Sequence, residues 1–249
     1  MSNILSRLFK SKVSKTETPF EVQRRLFGNA LDMIIFDVGA YIGEIASVYK
    51  KTFPDSTIYC FEPFPESFQK LSRLSCDKSI NVYNLALSDQ RGKTKLCVNT
   101  DLSSNSFFPR PESGFKYYSE NSKNTGEIEV ETNTLDNFCD KATISTIDIL
   151  KLDIEGAEIK VLKGASKKLE NKQIKLIYSE VMFITHYQGG CLFHEVSAFL
   201  GQYDYSLFNL YNLKQARNGQ LRWGNAIFIN SQMRSMIETS PQQKVSIKR

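Results

Sequence analysis

The sequence predicts an α/β fold of the doubly wound kind, in which helices cover both faces of a mostly parallel sheet. Two observations carry this prediction. Apolar, strand-like runs alternate with helix-like segments along most of the chain. In addition, the first apolar run, 33–36, leads into a glycine-bearing turn, 37–43, and the second, 58–61, ends at Glu62. A buried strand, a glycine turn, a helix and a second strand that ends in a carboxylate are typical of a nucleoside-binding sheet edge.

The remaining elements follow in chain order. Predicted strands cover residues 33–38, 57–62, 80–84, 147–153, 174–181, 205–211 and 225–229. Predicted helices cover residues 42–52, 65–75, 157–169 and 193–201, with Pro54 after the first and with Pro63 and Pro65 at the start of the second. The polar residues 212–224 indicate a hairpin connection rather than a helix, so the last two strands should pair antiparallel.

The middle of the chain departs from this alternation. Residues 94–98 and 127–132 alternate in polarity, and the first of these segments is expected to be an antiparallel edge strand. A short helical turn is expected at 134–138. Residues 99–126 form a long insertion, expected near the substrate side and rich in Ser, Asn, Pro and Gly. Its aromatic residues could stack on a bound ligand or form a small core of their own; they are Phe107, Phe108, Phe115, Tyr117 and Tyr118.

The charges around the first turn indicate which cofactor it would hold. Gly39 lets the backbone turn tightly beside a ligand, and Gly43 lets the following helix approach the strand. The carboxylate of Asp37 would repel a pyrophosphate, but it suits an ammonium group. S-adenosylmethionine carries a sulfonium and an amino group and no phosphate, so it fits both Asp37 and Glu62. The alternative is an ordinary strand-to-helix turn that binds no ligand.

Length and charge bound the domain organisation and the partners. With 249 residues, of which 41% are hydrophobic, the chain can bury one substantial core. We therefore predict one domain, 31–230, between a basic N-terminal segment, 1–30, and a basic polar tail, 231–249. The net charge of +5 divides into +4 for the N-terminal segment, +3 for the tail and −2 for the domain. An enzyme acting on nucleic acid carries its basic residues around the site, so no nucleic-acid partner is expected.

The N-terminal segment and the cysteines bear on localisation. A short membrane-surface helix is one interpretation of the N-terminus, but two lysines interrupt its apolar stripe, and a packing helix or a frayed end is the alternative. The apolar residues are Ile4, Leu5, Leu8 and Phe9, and the lysines are Lys12 and Lys15. Five cysteines without a Cys-x-x-Cys pair predict reduced thiols rather than disulfides or a zinc site. No secretory signal or membrane span is predicted, and a cytoplasmic protein is expected.

Further titratable residues stand at strand ends, where ligands bind in open α/β sheets. Asp153 ends the fourth parallel strand, Glu180 ends the fifth, and Asp89 follows the third. A carboxylate there can act as a general base or, paired with another, can hold a divalent ion. The alternative for Asp153 is to cap the following helix, which does not exclude catalysis. His186 either reaches the same mouth from the end of the fifth strand or is a surface loop residue, and His194 is expected to be structural.

Five motifs, taken in order, resemble those of the FkbM-type S-adenosylmethionine-dependent methyltransferases, and the resemblance covers about residues 33–230. The motifs are Phe36-Asp37-Val38-Gly39-Ala40 with Gly43, Phe61-Glu62-Pro63 with Pro65, Ala86-Leu87-Ser88-Asp89, LKLDIEGAE at 150–158 and VLKGA at 161–165. The resemblance implies the class I methyltransferase fold, a Rossmann-like, seven-stranded, mostly parallel sheet with an antiparallel last strand. It also implies methylation of hydroxyls on sugars and natural products. Tyr41 departs from the family, which usually has Asn there.

The resemblance also implies roles for individual residues. Asp37, Gly39 and Gly43 would line the methionine part of the cofactor, Glu62 would hold its ribose, and Asp153 would face the reacting methyl group. Ala86, Ser88 and Asp89 would flank the adenine, and Ala40, Tyr41 and Pro63 complete the predicted cofactor-binding set. Related sugar O-methyltransferases place acids at the ends of the fourth and fifth strands around a magnesium ion. This makes Asp153 and Glu180 a candidate metal pair, although two carboxylates are a thin ligand set.

The sequence therefore predicts an O-methyltransferase that uses S-adenosylmethionine and a sugar, glycan or natural-product acceptor. An alcohol is a weak nucleophile, so a base or a Lewis acid must assist the loss of its proton. The catalytic candidates are Asp153, Glu180 and His186. One alternative is a nucleic-acid methyltransferase, although the Asn-Pro-Pro-aromatic and Pro-Cys motifs of such enzymes are absent. The other is a cofactor-binding module without catalysis, which Tyr41 leaves open and the intact acids argue against.

Overall fold

The computed structural model describes residues 17–111 and 123–239, which build a large and a small β-sheet with helices around them. The strands are β1 (Ile34–Val38), β2 (Thr57–Phe61), β3 (Ile80–Tyr83), β4 (Ala86–Leu87), β5 (Gly92–Asn99), β6 (Asn124–Asn133), β7 (Ile147–Leu152), β8 (Ile174–Met182), β9 (Tyr205–Gln215) and β10 (Leu221–Asn230). The helices are α1 (Pro19–Phe27), α2 (Glu44–Thr52), α3 (Pro65–Leu71), α4 (Leu135–Ala142), α5 (Glu158–Lys163), α6 (Ser166–Glu170), α7 (Phe193–Gly201) and α8 (Ser231–Thr239). The residues on which the predicted N-terminal membrane contact depends lie outside the described ranges, as do Phe115, Tyr117 and Tyr118.

The large sheet has seven strands in the order β3-β2-β1-β7-β8-β10-β9. Strand β10, the last along the chain, pairs antiparallel with both β8 and β9, while the other pairs are parallel. This confirms the class I methyltransferase fold. The strand order reverses direction between β1 and β7, and the crevice at such a switch point is where an open α/β sheet binds its ligands. The residues that follow β1 and β7 therefore flank the expected site.

Apolar side chains on alternate positions of the central strands fill a core on each face of the sheet. On β1, Phe36 and Val38 join the core that packs against α4, α5 and α7, whereas Ile35 joins the core that packs against α1, α2 and α8. All six residues of β7 are buried, as expected for a central parallel strand covered on both faces. One of the six is a lysine, Lys151, which the site explains.

The middle of the chain forms a second, smaller sheet. Strand β5 is antiparallel and lies at an edge, as expected, but the edge belongs to a separate three-stranded sheet of order β4-β6-β5 in which β5 pairs with β6.

The expected single helix over 157–169 is wrong, because α5 and α6 are separated at Gly164. A Cβ at Gly164 would lie 2.1 Å from the carbonyl oxygen of Ser88, so this close contact admits only glycine.

The ends of the described chain are folded onto the domain. Helix α1 begins at a capping box formed by Thr18 and Glu21 and buries Val22. Helix α8 buries Met233 against the same core. Strands β9 and β10 continue into residues 212–224, which leaves only a short turn between them. Among the described residues, no helix has the length and apolar character needed to cross a bilayer.

Candidate active site

The turn after β1 is shaped by a contact between Gly39 and the loop after β7. Gly39 has a φ of +77°, and a Cβ at this position would lie 1.9 Å from the carbonyl oxygen of Asp153. The amides of Gly39 and Ala40 both donate to the carbonyl oxygen of Phe61. Only glycine satisfies both the conformation and the contact, so the residue brings the ends of β1, β2 and β7 together.

Gly43 is also required, but not because the following helix approaches the strand, as the sequence predicts. Its φ is +88°, and a Cβ would lie 2.2 Å from Cδ1 of Leu74 and 3.0 Å from Cδ1 of Leu71. The close approach is therefore to side chains on α3 and the 3-10 helix after it (Ser72–Cys76), rather than to the preceding strand. Gly43 starts α2 behind the turn.

Glu62 is a nearly buried carboxylate at the end of β2, and backbone amides orient it. Oε2 accepts a hydrogen bond from the amide of Tyr41 and Oε1 from the amide of Phe64, each across 2.9 Å. Burial raises the pKa of Glu62 to about 7, against the opposing effect of these two bonds. Each carboxylate oxygen has a second lone pair, so Glu62 can still accept from two hydroxyls.

A cavity at the switch point collects residues from six segments: the turn after β1, the end of β2, β4, β5, the insertion and the loop after β7. It is lined by Gly39, Tyr41, Glu62, Pro63, Leu87, Leu96, Leu102, Ser103, Asn105, Ser106, Phe107, Asp153, Ile154, Glu155 and Ala157. Five of the predicted site residues therefore line one cavity: Gly39, Tyr41, Glu62, Pro63 and Asp153. The insertion contributes a further wall, which we call the roof and define as residues 101–111.

Asp37 lies behind the cavity wall rather than on it. Its side chain is fully buried, and Oδ1 lies 2.8 Å from Nζ of Lys151 on the neighbouring strand. Burial lowers the pKa of Lys151, but the charges of Asp37 and Asp153 outweigh this effect and raise the pKa above its ordinary value. The pairing of Asp37 with Lys151 was not predicted from the sequence, although a lysine within an otherwise largely apolar central strand indicates a buried acidic partner.

None of the predicted adenine-flanking residues lines the cavity. Ala86 and Ser88 are buried, and Leu87 between them lines the cavity instead. Asp89 accepts a hydrogen bond from the hydroxyl of Ser88 and lies 3.5 Å from Nζ of Lys160. Asp89 therefore forms an ion pair with Lys160 of α5, and its role toward a cofactor stays a prediction.

Three carboxylates meet at the ends of β7 and β8. Asp153, Glu155 and Glu180 each have an oxygen within 4.8 Å of the other two. Burial, followed by the charge of Asp153, raises the pKa of Glu155 to about 8 and that of Glu180 well above its ordinary value. Asp153 is the half-exposed member of the three and lines the cavity, where its carboxylate can accept a proton from a bound hydroxyl. Glu155 belongs to the LKLDIEGAE motif at 150–158, but no role was predicted for it from the sequence.

His186 is buried after β8 and does not line the cavity. Burial, together with the charges of Arg222 and Arg110, lowers its pKa to about 4, so the imidazole is neutral at physiological pH. Tyr187, the next residue, is directed at the roof. Its role in holding that segment was not foreseen.

Hydrogen bonds attach the roof to the loops after β7 and β8. The hydroxyl of Ser106 donates to the carbonyl oxygen of Glu155 across 2.7 Å. The hydroxyl of Tyr187 donates to the carbonyl oxygen of Ser104 and accepts from the Arg110 guanidinium. The described part of the insertion is therefore built into the site, and it covers the acidic end of the cavity.

Comparisons with known proteins agree with this geometry. The family model described as "Methyltransferase FkbM domain" matches residues 37–207. The 2-O-methyltransferase NoeI of Sinorhizobium fredii is 25% identical over 194 residues, which cover 74% of this chain and 78% of NoeI. The hexuronic acid methyltransferase AglP of Haloferax volcanii is 24% identical over 150 residues, covering 59% and 55%. Among solved structures, the magnesium protoporphyrin IX methyltransferase ChlM of Synechocystis, with bound SAM, is 11% identical with a TM-score of 0.48, covering 85% and 77%.

Proposed function

The chain belongs to the FkbM family of S-adenosylmethionine-dependent methyltransferases, and on that premise we propose that it methylates a hydroxyl oxygen of a sugar, glycan or natural-product acceptor. The observation that carries the proposal is the cavity at the switch point. It joins Glu62, a buried carboxylate with free lone pairs, to Asp153, a half-exposed carboxylate, with the backbone of Gly39 between them. One end of the cavity suits a ribose, and the other suits an acceptor that must lose a proton.

The residues at the first end fit the cofactor. The Glu62 oxygens can accept from two ribose hydroxyls, and Gly39, which packs against the backbone of Asp153, contributes its own backbone to the cavity wall. The apolar side chains of Leu87 and Phe107 line the same cavity. When bound, the cofactor would supply a methyl group attached to a positively charged sulfur, and the sulfur would leave with the electron pair of the broken carbon–sulfur bond.

The protein's own chemical task is to deprotonate and align the acceptor. Asp153 accepts the hydroxyl proton as the oxygen forms its bond to the methyl carbon, a contribution of about 10²–10⁴ in rate for a positioned base. Glu155, which lines the same cavity and whose pKa burial raises to about 8, can hydrogen-bond to a neighbouring hydroxyl of the acceptor. The roof covers this end, which limits the directions from which an acceptor can enter.

Two relatives support a hydroxyl acceptor rather than another atom. NoeI is named a 2-O-methyltransferase, which specifies oxygen, and AglP is named a hexuronic acid methyltransferase, which specifies a sugar acid. A hydroxyl-rich acceptor also suits the cluster of Asp153, Glu155 and Glu180, since carboxylates are strong acceptors for O–H donors. A divalent ion held by the same three carboxylates is the alternative to a protein base.

A methyl-transfer screen tests the proposal. The purified chain is incubated with cofactor carrying a deuterated methyl group and with nucleotide-sugars or extracted glycans, and products are read by mass spectrometry. We expect one labelled methyl group on oxygen, with or without a chelator if Asp153 acts as the base. Loss of transfer with a chelator, and its recovery with magnesium, would favour the metal alternative. Transfer to nitrogen or carbon, or no transfer despite tight cofactor binding, would contradict the proposed function.

A further inference from the structure

We propose that Lys151 is a positioning residue that holds the cofactor-binding turn and the acid Asp153 in a fixed relation. The inference rests on the proposed function, because it assigns Asp153 to the reaction. In this arrangement Asp37 does not contact the cofactor. It holds the lysine instead.

The contacts of one ammonium group support this assignment. Nζ of Lys151 lies 2.8 Å from Oδ1 of Asp37, donates to the carbonyl oxygen of Gly39 across 2.9 Å, and lies 3.7 Å from Oδ2 of Asp153. One ammonium group therefore donates a hydrogen bond to the Gly39 carbonyl oxygen and lies within ion-pair distance of two carboxylates. Two of those oxygens belong to residues that line the cavity, Gly39 and Asp153.

Strand register explains why a lysine can reach all three oxygens. Asp37 and Lys151 are direct partners on the parallel strands β1 and β7, so their side chains stand side by side on one face of the sheet. Gly39 follows Asp37 by two residues, and Asp153 follows Lys151 by two. The amide of Asp153 also donates to the carbonyl oxygen of Val38. The ammonium therefore sits where both strands leave the sheet and enter the site.

Energetics argue that the pair is not retained for stability alone. Asp37 and Lys151 are almost completely buried, and a buried ion pair often contributes less stability than apolar residues of similar volume. Within the same strand, the positions around Lys151 are filled by aliphatic residues. A pair that is expensive to bury and that touches two cavity residues is better explained by the placement of those residues.

A charge-neutral double variant separates placement from stability. Lys151→Met alone leaves the Asp37 charge buried without its counter-ion, so it should unfold at a lower temperature. Adding Asp37→Asn removes that charge and should recover most of the lost thermal stability. We expect the double variant still to bind S-adenosylhomocysteine about tenfold more weakly, since Gly39 loses a charged donor. Its kcat should fall about a hundredfold, because Asp153 is no longer held.

Lys168→Met is the matched control. Lys168 is also a buried lysine, and its ammonium donates to the carbonyl oxygens of Ile144 and Ser145, away from the cavity. This variant should lose stability while its affinity for S-adenosylhomocysteine, its kcat and its KM stay at the wild-type values. Lys151→Arg, which keeps the charge but presents a planar fork, should fold and should show the weaker affinity.

The outcomes distinguish this inference from the proposed function. Wild-type affinity and kcat in the double variant would overturn the inference. If the double variant fails to fold, wild-type affinity in Lys151→Arg would overturn the inference instead. A positive charge at this position would then suffice without the ammonium geometry of lysine. Failure of the wild-type chain itself to bind S-adenosylhomocysteine would overturn the proposed function, whatever the variants do.

Discussion

The backbone amide of Tyr41 donates a hydrogen bond to Oε2 of Glu62 across 2.9 Å, which ties the turn after β1 to the end of β2. Tyr41 reaches this position with a φ of +50°, a left-handed conformation that Asn adopts more readily than an aromatic residue. This gives a physical reason for the Asn that the family usually has there. The backbone contact does not depend on the side chain, so Tyr41 can replace Asn without losing the bond to Glu62.

Replacement of Glu62 by alanine should weaken cofactor binding. We expect the affinity for S-adenosylhomocysteine to fall by about 1–3 kcal/mol, because two ribose hydroxyls would lose their acceptor. Titration calorimetry measures this directly. Glu66→Ala is the matched control, since Glu66 is exposed and pairs with Lys70 on the same helix. Equal affinity in wild type and Glu62→Ala would remove Glu62 from the site.

Cofactor affinity should also depend on pH through Glu62. The free protein has a Glu62 pKa of about 7, and ribose hydroxyls donate to the ionised form. Below that pH a proton must leave before binding, so affinity should fall with decreasing pH by at most about tenfold per unit. Calorimetry in two buffers of different ionisation enthalpy should record proton release near neutral pH. The dependence should vanish in Glu62→Gln, and a flat wild-type profile between about pH 5.5 and 8 would contradict the linkage.

The close contact of Gly39 predicts a large effect for one added methyl group. In Gly39→Ala the Cβ would meet the carbonyl oxygen of Asp153, so the turn must move and both stability and cofactor affinity should fall. Gly219→Ala is the matched control, because Gly219 has a φ of +85°, close to that of Gly39, but no atom within 4 Å of its added Cβ. It should lose only about 1–2 kcal/mol of stability from backbone strain. Equal unfolding free energies for the two variants would show that the contact is unimportant.

The nucleic-acid alternative predicts binding that does not depend on the C-terminal residues. Because α8 covers residues 231–239 and buries Met233, the appropriate truncation removes only residues 240–249. The truncated chain should keep its affinity for S-adenosylhomocysteine, and any salt-sensitive retention of duplex DNA should decrease with the three basic residues removed. Tight DNA binding by the truncated chain at physiological salt would revive a nucleic-acid substrate.

The fold was predictable because local patterns and sheet topology agree. Apolar periodicity located the central strands, and the polar stretch before β10 indicated its antiparallel pairing. The placement of β5 was not predictable in the same way. Alternating polarity indicates a strand with one buried face, but not which sheet it joins, and the pairing with β6 spans a long insertion. The break at Gly164 depends on a contact with Ser88, which no local pattern contains.

The site was predictable where chemistry follows directly from a strand end. Glu62 and Asp153 both line the cavity, because a residue that ends a parallel strand points into the crevice. Asp37 shows the limit of this reasoning. It lies one position inside the strand, and its charge is matched by Lys151 on a neighbouring strand distant in the sequence. Charge next to a glycine turn indicates a site, but only the pairing register shows whether the charge faces a ligand or another residue.

The measurement that tests the account most directly is the turnover of Asp153→Asn on an acceptor identified by the methyl-transfer screen. Asn has the size of Asp, and Asp153 does not cap the following helix as the sequence had suggested, because the N-cap of α5 is Ala157; stability should therefore change by less than about 1 kcal/mol. Affinity for S-adenosylhomocysteine should remain nearly unchanged. We predict that kcat falls by about 10²–10⁴, the usual contribution of a positioned base. Full activity of Asp153→Asn on that acceptor would show that Asp153 has only a structural role and would contradict the proposed mechanism.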